Sequence, residues 1–241
     1  MRILIAKNKK TFFVRNTDKD YHCQYGYIKG KDLKKAKDGD ILVTNTGKEL
    51  TIMTPSFIDI YKKIKRGAQI IPLKDIGHII TTTGINKSSI VVEAGAGSGA
   101  LTCFLGHLCK KVYSYEIRED FMKIVQKNIN LLDLKNIVLK DKDIYDGIDE
   151  SNVDLVSLDL PEPWRVIPHA KKALKKGGFL ISYSPSIPQT MDFVNKLDED
   201  LFHYVTYEIF EREWEINQRK VRPKSQRIGH SGFLSFARRI K

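Results

Sequence analysis

Short apolar runs separated by polar turns make up the amino-terminal part of the chain. Over the first ~55 residues these runs have β-strand character and lack a helical period. Turn sequences such as "KDGD" and "NTGK" lie between them. The predicted strands are "MRILIA", "TFFV", "DILVT" and "ELTIM". The pattern therefore predicts a small β domain.

A helix is predicted next, over the segment "SFIDIYKKIKRGAQII". Gly67 is placed to stop this helix, and a linker is expected around Pro72. After this point the sequence pattern changes to alternating strand-like and helix-like segments. We therefore predict two domains, a β domain over residues 1–65 and a second domain over residues 66–241.

Apolar strands and amphipathic helices alternate in the second domain. The predicted strands are "SIVVEA", "KVYSYE", "NIVLKD", "VDLVSLD" and "GFLISYS". The predicted helices are "GALTCFLGHLC", "REDFMKIVQKNINLL" and "WRVIPHAKKALKK". Strands joined by helical crossovers form a parallel, doubly wound sheet that binds ligands at the carboxyl ends of its strands. The β-type runs "FHYVTYEIF" and "HSGFLSFARR" are expected to add an antiparallel edge, which makes an α/β fold with seven strands.

A glycine loop follows the first strand of this sheet, in "VVEAGAGSGAL". Gly95, Gly97 and Gly99 allow a tight turn and a close approach of a ligand to the backbone. The loop also satisfies a loose dinucleotide-binding pattern, so glycines alone do not identify the ligand.

Acidic residues at three successive strand ends narrow the choice. Glu93 precedes the glycines, where a carboxylate suits an ammonium or sulfonium group better than a pyrophosphate. Glu116 is placed to accept hydrogen bonds from ribose hydroxyls, and Asp143 can face an adenine amino group. Each acid alone would equally serve as a helix cap or a solvated turn. Together they favour S-adenosylmethionine over NAD.

The fourth strand ends in "LDLPEPW". Asp159 is expected beside the cofactor's methyl group, where it can accept a hydrogen bond from an exocyclic amine and stabilise positive charge on a base. Pro161 and Pro163 stiffen the loop that follows. Trp164 is expected to pack as a wall, and Glu162 receives no role.

The charge of the chain indicates a polyanionic partner. It has 41 Lys and Arg against 29 Asp and Glu, a net charge of +12. The three cysteines form neither a disulfide set nor a metal-binding spacing, so we expect a reducing, cytoplasmic setting and no metal. No segment has the pattern of a signal peptide or a membrane span, so no membrane partner is expected.

Several motifs together resemble the tRNA adenine-N1 methyltransferase family, whose archaeal members act at positions 57 and 58 of the T-loop. They are "EAGAGSGALT", "YSYEIRED", "LDLPEPW", "KKGGFLISYSPSIPQ" and the tail "IGHSGFLSFARR". The resemblance implies the Rossmann-like class I methyltransferase fold, S-adenosylmethionine as cofactor, tRNA as partner and a homotetramer. Asp159 becomes the expected catalytic carboxylate. The expected cofactor-binding residues are Gln69, Glu93, Gly95, Gly97, Ser98, Gly99, Ala100, Leu101, Glu116, Asp143 and Asp159.

The same resemblance implies a substrate site. Tyr183, Gln189 and His230 are expected near the target base. A flipped adenine needs a stacking surface, which Tyr183 can offer, although a buried core tyrosine and a structural His230 are equally compatible with the sequence. Arg219, Arg222 and Arg227 are expected to contact the tRNA backbone.

Two other functions remain open at this point. One is a different methyltransferase on the same scaffold, such as a protein-isoaspartate O-methyltransferase. The other is a catalytically silent tRNA-binding subunit. The sequence does not decide between methylation at position 57, position 58 or both.

Overall fold

The computed structural model describes residues 1–67, 69–225 and 229–241. The chain divides into two compact units, Met1–Lys63 and Ile64–Lys241. The sequence predicts the boundary after residue 65.

The first unit is a small β structure, as predicted. Its elements are β1 (Arg2–Ala6), β2 (Thr11–Val14), β3 (Tyr21–Cys23), β4 (Gly26–Ile28), α1 (Gly30–Lys35), β5 (Ile41–Val43), β6 (Glu49–Met53) and α2 (Phe57–Tyr61). Four strands form an antiparallel sheet in the order β2-β1-β6-β5, and β3 pairs with β4 as a separate hairpin. Leu4, Leu50 and Ile52 are fully buried in its core.

The helix predicted in "SFIDIYKKIKRGAQII", with its stop near Gly67, is wrong in its extent, because α2 ends at Tyr61. The backbone beyond it bonds to side chains instead of continuing a helical ladder. The N–H of Lys65 donates to Asn128 Oδ1 at 2.8 Å, and the N–H of Gly67 donates to Ser98 Oγ at 2.8 Å. These long-range partners take the donors that a continued helix needs.

The second unit alternates strands and helices. Its elements begin with α3 (Leu73–Thr83), β7 (Ile90–Ala94), α4 (Ala100–Leu108), β8 (Lys111–Glu116), α5 (Glu119–Leu131), β9 (Ile137–Asp141) and β10 (Val153–Leu158). They continue with α6 (Ile167–Ala173), β11 (Leu174–Ser184), α7 (Ile187–Asn195), β12 (Leu201–Glu208), β13 (Trp214–Asn217), β14 (Lys220–Pro223) and β15 (Phe233–Arg239). Short 3-10 helices span Ile144–Asp146 and Pro163–Val166.

One seven-stranded sheet runs through this unit in the order β12-β15-β11-β10-β7-β8-β9. Strands β7 to β11 are parallel, and β15 is antiparallel to both of its neighbours, β11 and β12. The predicted fold class is therefore confirmed, including the antiparallel edge. The central strands carry apolar side chains that pack beneath the helices, among them Val92, Val156 and Leu180, all fully buried.

Elements that were not predicted are α1 and the β3–β4 hairpin in the first unit, and α3, α7 and the β13–β14 hairpin in the second. The sequence interpretation treats Pro72 as a linker, whereas it is the N-cap residue of α3. Ile76 and Ile79 form the fully buried side of this helix, and its C-cap residue Gly84 has the left-handed conformation with φ +66°. No helix in the described part of the chain combines the length and the apolar composition that crossing a bilayer requires.

Candidate active site

The glycine loop lies between β7 and α4, and its backbone has a conformation that glycine adopts more easily than other residues do. Gly95, Gly97 and Gly99 have φ values of +83°, +53° and +74°. A Cβ on Gly95 would lie 2.0 Å from the carbonyl oxygen of Asp159, so this glycine lets β10 approach the loop. The loop and Asp159 are therefore brought together by the parallel pairing of β7 with β10.

Glu116 holds the glycine loop from the end of β8. Its Oε2 accepts the N–H of Gly97 at 2.9 Å, and its Oε1 accepts the N–H groups of Ile117 and Arg118, each at 3.0 Å. An ionised carboxylate has roughly four acceptor sites, so little of its capacity remains for a ribose. The expected contact of Glu116 with a cofactor stays a prediction.

Two pockets lie at the carboxyl ends of the strands, and Gly95 lines both of them. The Asp159 pocket is lined by most of the expected cofactor residues: Gln69, Glu93, Gly95, Gly97, Ser98, Ala100, Leu101 and Asp159. The Asp143 pocket is lined by Gly95, Tyr115, Glu116, Asp143, Tyr145, Leu160 and Pro161, among others. Residues that lie far apart in the sequence thus converge on one edge of the sheet. Gly99 lines neither pocket and instead caps the start of α4.

Glu93 is the most buried acid of the site, with 3% of its surface exposed. The hydroxyls of Thr102 and Ser114 donate to its Oε2 at 2.7 Å and 2.5 Å. The pKa of Glu93 is raised to about 7, mainly by burial and to a smaller extent by the charges of Asp159 and Glu116, while the hydrogen bonds from the two hydroxyls oppose the rise. A cation in the Asp159 pocket would favour the ionised form of this carboxyl.

Asp159 begins the loop after β10, and its N–H donates to the carbonyl of Ala94 at 2.9 Å. Its side chain reaches solvent in the pocket. Protein atoms nevertheless surround the carboxyl closely, and this desolvation raises the pKa of Asp159 to about 6. The side chain is therefore mostly ionised at neutral pH and free to accept a hydrogen bond from a ligand.

Asp143 follows β9 and caps the 3-10 helix Ile144–Asp146, because its Oδ1 accepts the N–H of Tyr145 at 2.9 Å. This is the capping role that any one of the strand-end acids could have. Asp143 also lines the Asp143 pocket. Its expected contact with an adenine amino group stays a prediction.

Tyr183 is buried, with 7% of its surface exposed. The backbone of Gly232 covers its ring so closely that a Cβ there would lie 2.6 Å from Cζ. The hydroxyl lies 3.5 Å from Asp75 Oδ2. This is the arrangement of a core tyrosine, and stacking on a target base stays a prediction.

Gln189 and His230 both contact the protein backbone. Gln189 Nε2 donates to the carbonyls of Leu160 and Pro161 at 3.0 Å and 2.6 Å. His230 has an acceptor at each ring nitrogen, Glu208 Oε1 at 2.6 Å from Nδ1 and the carbonyl of Pro185 at 2.9 Å from Nε2. The hydrogen bond to Glu208 is the main cause of a raised pKa for His230.

Two of the three expected tRNA-contacting arginines belong to the β13–β14 hairpin. Arg219 lies in its turn and Arg222 in β14, and both are exposed. Arg222 Nε donates to Glu215 Oε2 across the hairpin at 3.2 Å. Arg227 lies outside the described residues.

One buried polar cluster beside the site was missed by the sequence interpretation. Asp75 is fully buried in the first turn of α3, where it accepts hydrogen bonds from Lys74 Nζ at 2.7 Å and Ser231 Oγ at 2.9 Å. Lys74 Nζ also donates to Ser231 Oγ at 2.6 Å. The charged pair after Pro72 was visible in the sequence, but its partner Ser231 is 156 residues from Asp75.

Comparisons with known proteins agree with this geometry. Residues 50–226 match the family model described as the tRNA methyltransferase complex GCD14 subunit. A Methanocaldococcus jannaschii protein named tRNA (adenine(57)-N(1)/adenine(58)-N(1))-methyltransferase TrmI is 36% identical, over 98% of this chain and 94% of its own. A Thermus thermophilus protein named tRNA (adenine(58)-N(1))-methyltransferase TrmI is 31% identical, over 92% of this chain and 89% of its own.

Solved structures give the same grouping. A SAM-dependent O-methyltransferase from Thermotoga maritima superposes with a TM-score of 0.89 at 29% identity, covering 100% of this chain and 92% of its own. The tRNA (m1A58) methyltransferase TrmI from Aquifex aeolicus superposes with a TM-score of 0.84 at 25% identity, covering 100% and 97%. The matched segment spans both strand-end pockets and most of the chain. This chain therefore belongs to the family of the tRNA methyltransferase complex GCD14 subunit.

Proposed function

We propose that this chain is an S-adenosylmethionine-dependent methyltransferase that modifies N1 of an adenine in the T-loop of tRNA. The observation that carries the proposal is the position of Asp159, which shares one pocket with the glycine loop and Glu93. Two sequence relatives that cover more than nine-tenths of the chain, and the Aquifex aeolicus structure, carry names that specify tRNA adenine-N1 methylation, whereas the Thermotoga maritima structure carries the name of an O-methyltransferase.

The residues of the two pockets fit the proposed cofactor. S-adenosylmethionine carries positive charge on its sulfonium and its ammonium group, and it supplies a methyl group bound to sulfur. Glu93 and Asp159 provide carboxylates in one pocket, and Glu116 and Asp143 provide them in the other. A pyrophosphate would meet like charge in both pockets. The absence of a Cβ on Gly95 lets the Asp159 backbone lie against the glycine loop, which places the Asp159 carboxylate in the same pocket as that loop.

Asp159 has the chemistry that N1 methylation requires. The adenine ring becomes positively charged as N1 gains the methyl group, while the adjacent exocyclic amine becomes a stronger donor. A carboxylate that accepts a hydrogen bond from this amine orients the ring and stabilises the developing charge. Because the pKa of Asp159 is about 6, its carboxylate is available for this task at neutral pH.

Both units have exposed basic residues that can bind the polyanionic substrate. The exposed lysines around α1 are Lys29, Lys31, Lys34, Lys35 and Lys37. Arg219 and Arg222 contribute from the β13–β14 hairpin, and Arg227 contributes from the segment after it. Phosphate contacts of this kind make tRNA affinity strongly dependent on salt. The proposal includes Tyr183 and His230 near the base, and the homotetramer and cytoplasmic location that the resemblance implies.

The test is methylation of tRNA transcripts with defined T-loops. The chain is incubated with S-adenosylmethionine and transcripts that carry adenine at position 57, position 58, both or neither, and nucleosides are analysed by mass spectrometry. We expect 1-methyladenosine from transcripts with A58. Transcripts that carry adenine only at position 57 show whether that position is methylated as well.

Three results would count against the proposal. Transfer of methyl groups to a protein but not to tRNA would favour the O-methyltransferase alternative. Failure to bind S-adenosylmethionine in a calorimetric titration, together with retained tRNA binding, would favour a silent subunit. A sedimentation measurement that finds a monomer would remove the homotetramer from the proposal.

A further inference from the structure

Residues of β7, α7 and the 3-10 helix after β9 hold the backbone of the loop that carries Asp159 at four points. We define the Asp159 loop as residues 159–162. The N–H of Asp159 donates to the carbonyl of Ala94 at 2.9 Å. The carbonyls of Leu160 and Pro161 both accept hydrogen bonds from Gln189 Nε2, at 3.0 Å and 2.6 Å. A surface loop normally leaves such groups to water.

The fourth point is the N–H of Glu162, which donates to the hydroxyl of Tyr145 at 3.0 Å. Gln189 belongs to α7 and Tyr145 to the 3-10 helix after β9. Two side chains from separate elements, Gln189 and Tyr145, therefore bind three polar backbone groups of this loop.

Tyr145 is itself fixed by its neighbours. The guanidinium of Arg165 lies 4.3 Å from the centre of its ring, and the carbonyl of Tyr145 lies 3.1 Å from His169 Nε2. Arg165 Nη1 in turn donates to Glu162 Oε2 at 2.9 Å. Glu162 thus pairs its side chain with the cation that covers the ring, while its N–H bonds to the hydroxyl of that ring.

Tyr145, Leu160 and Pro161 also line the Asp143 pocket. A ligand in that pocket contacts the same residues that hold the Asp159 loop. The Asp143 pocket and the contacts that hold the Asp159 loop therefore share these three residues.

We propose that Gln189 and Tyr145 are positioning residues for the methyl-transfer step, which they serve by holding the Asp159 loop in its reactive geometry. This inference rests on the proposed function. It differs from the expectation that Gln189 contacts the target base, because the Gln189 amide donates twice to the loop. A displacement of a reacting group by ~1 Å can cost about 100-fold in rate.

The kinetic test uses Gln189→Met, which keeps the length of the side chain and removes its donors, and Tyr145→Phe, which removes one hydroxyl. We expect the single-turnover rate of methyl transfer at saturating cofactor and tRNA to fall by about 10- to 100-fold in each. Dissociation constants for both ligands should stay within about twofold. Gln126→Met and Tyr204→Phe change the exposed Gln126 of α5 and the exposed Tyr204 of β12, and are expected to leave the rate unchanged. Weaker tRNA binding at a normal single-turnover rate would overturn the inference and assign Gln189 to the base.

A second measurement tests the loop without any activity. The chain has two tryptophans, and Trp164 lies just beyond the loop. In a Trp214→Phe background, Gln189→Met should make the fluorescence of Trp164 more accessible to acrylamide, whereas Gln126→Met should not. Equal quenching in all three proteins would overturn the inference. This readout stays informative if the wild-type chain proves inactive on tRNA, so failure of the proposed function and failure of the positioning role are distinguished.

Discussion

Replacing Glu93 with glutamine should change how the stability of the protein depends on pH. Glu93 is 3% exposed, and burial raises its pKa from 4.5 to about 7. In the unfolded chain the carboxyl returns to its usual pKa. Between these two values the folded state binds a proton that the unfolded state has released. The wild-type free energy of unfolding therefore falls as pH rises through this window.

The two pKa values set the magnitude. Each pH unit of difference is worth ~1.4 kcal/mol, so the full effect is ~3 kcal/mol. Of this, ~2.5 kcal/mol falls between pH 5 and pH 8. The glutamine side chain of the variant would have no charge to desolvate, and its carbonyl oxygen can still accept from Thr102 and Ser114. The Glu93→Gln protein should therefore gain ~2.5 kcal/mol of stability relative to wild type as pH rises from 5 to 8.

Urea denaturation without ligand, followed by circular dichroism at four pH values from 5 to 8, measures this difference. Glu211→Gln removes one exposed carboxylate and controls for the change in net charge. A stability difference between Glu93→Gln and wild type that stays constant over the pH range would refute the reasoning. A difference that moves in the opposite direction would do so as well.

Three further predictions follow from the same site. Because the pKa of Asp159 is about 6, kcat/KM for the cofactor should decrease as the pH is lowered below 6. The decrease in kcat should begin at a lower pH, since a bound cation favours the ionised carboxylate. A rate that increases as the pH is lowered would contradict this prediction. Gly95→Ala should abolish cofactor binding in calorimetry, since its Cβ would lie 2.0 Å from Asp159 O, whereas Gly84→Ala has open space and should cost only ~1 kcal/mol of stability. Lys74→Met leaves buried Asp75 without its cation and should cost ~3 to 5 kcal/mol in urea denaturation. The pair Lys74→Met with Asp75→Asn should recover most of that loss, and Lys123→Met at an exposed ion pair should cost less than ~1 kcal/mol; a full loss in the double variant would argue against an unpaired charge as the cause.

The parallel strands of the large sheet were predictable because burial on both faces makes them rich in apolar and aromatic residues. β7, β8 and β10 have this pattern, and each is followed by the helix or turn that a parallel sheet requires. The carboxylates at their ends were predictable for the same reason, since parallel strands bring their carboxyl ends to one edge. Glu93, Glu116, Asp143 and Asp159 therefore lie around two adjoining pockets.

Local pattern was a poor guide where distant partners decide the structure. The helix beginning at Phe57 stops early because Lys65 and Gly67 donate to Asn128 and Ser98 instead of to helical carbonyls. α3 was missed because Pro72 was interpreted as part of a linker, whereas it is the N-cap residue of this helix. Tertiary contacts override such propensities.

The support around Asp159 could not be predicted for a related reason. Gln189 reaches the Asp159 loop from 28 and 29 residues away, and Tyr145 reaches it from 17. No sequence motif or regular spacing marks Gln189 or Tyr145, because the packing of α7 and the 3-10 helix against the loop creates these contacts. The sequence assigned no role to Glu162. In the structure its side chain pairs with Arg165, whose guanidinium covers the ring of Tyr145.

The most direct test of the account compares wild type with Asp159→Ala in single-turnover formation of 1-methyladenosine on a tRNA transcript that carries A58. The exposed Asp192→Ala of α7 serves as the matched control. We expect 1-methyladenosine from wild type and the control, and a rate at least ~100-fold lower in Asp159→Ala with cofactor and tRNA still bound. Near-normal formation by folded Asp159→Ala, or none by wild type, would contradict the account.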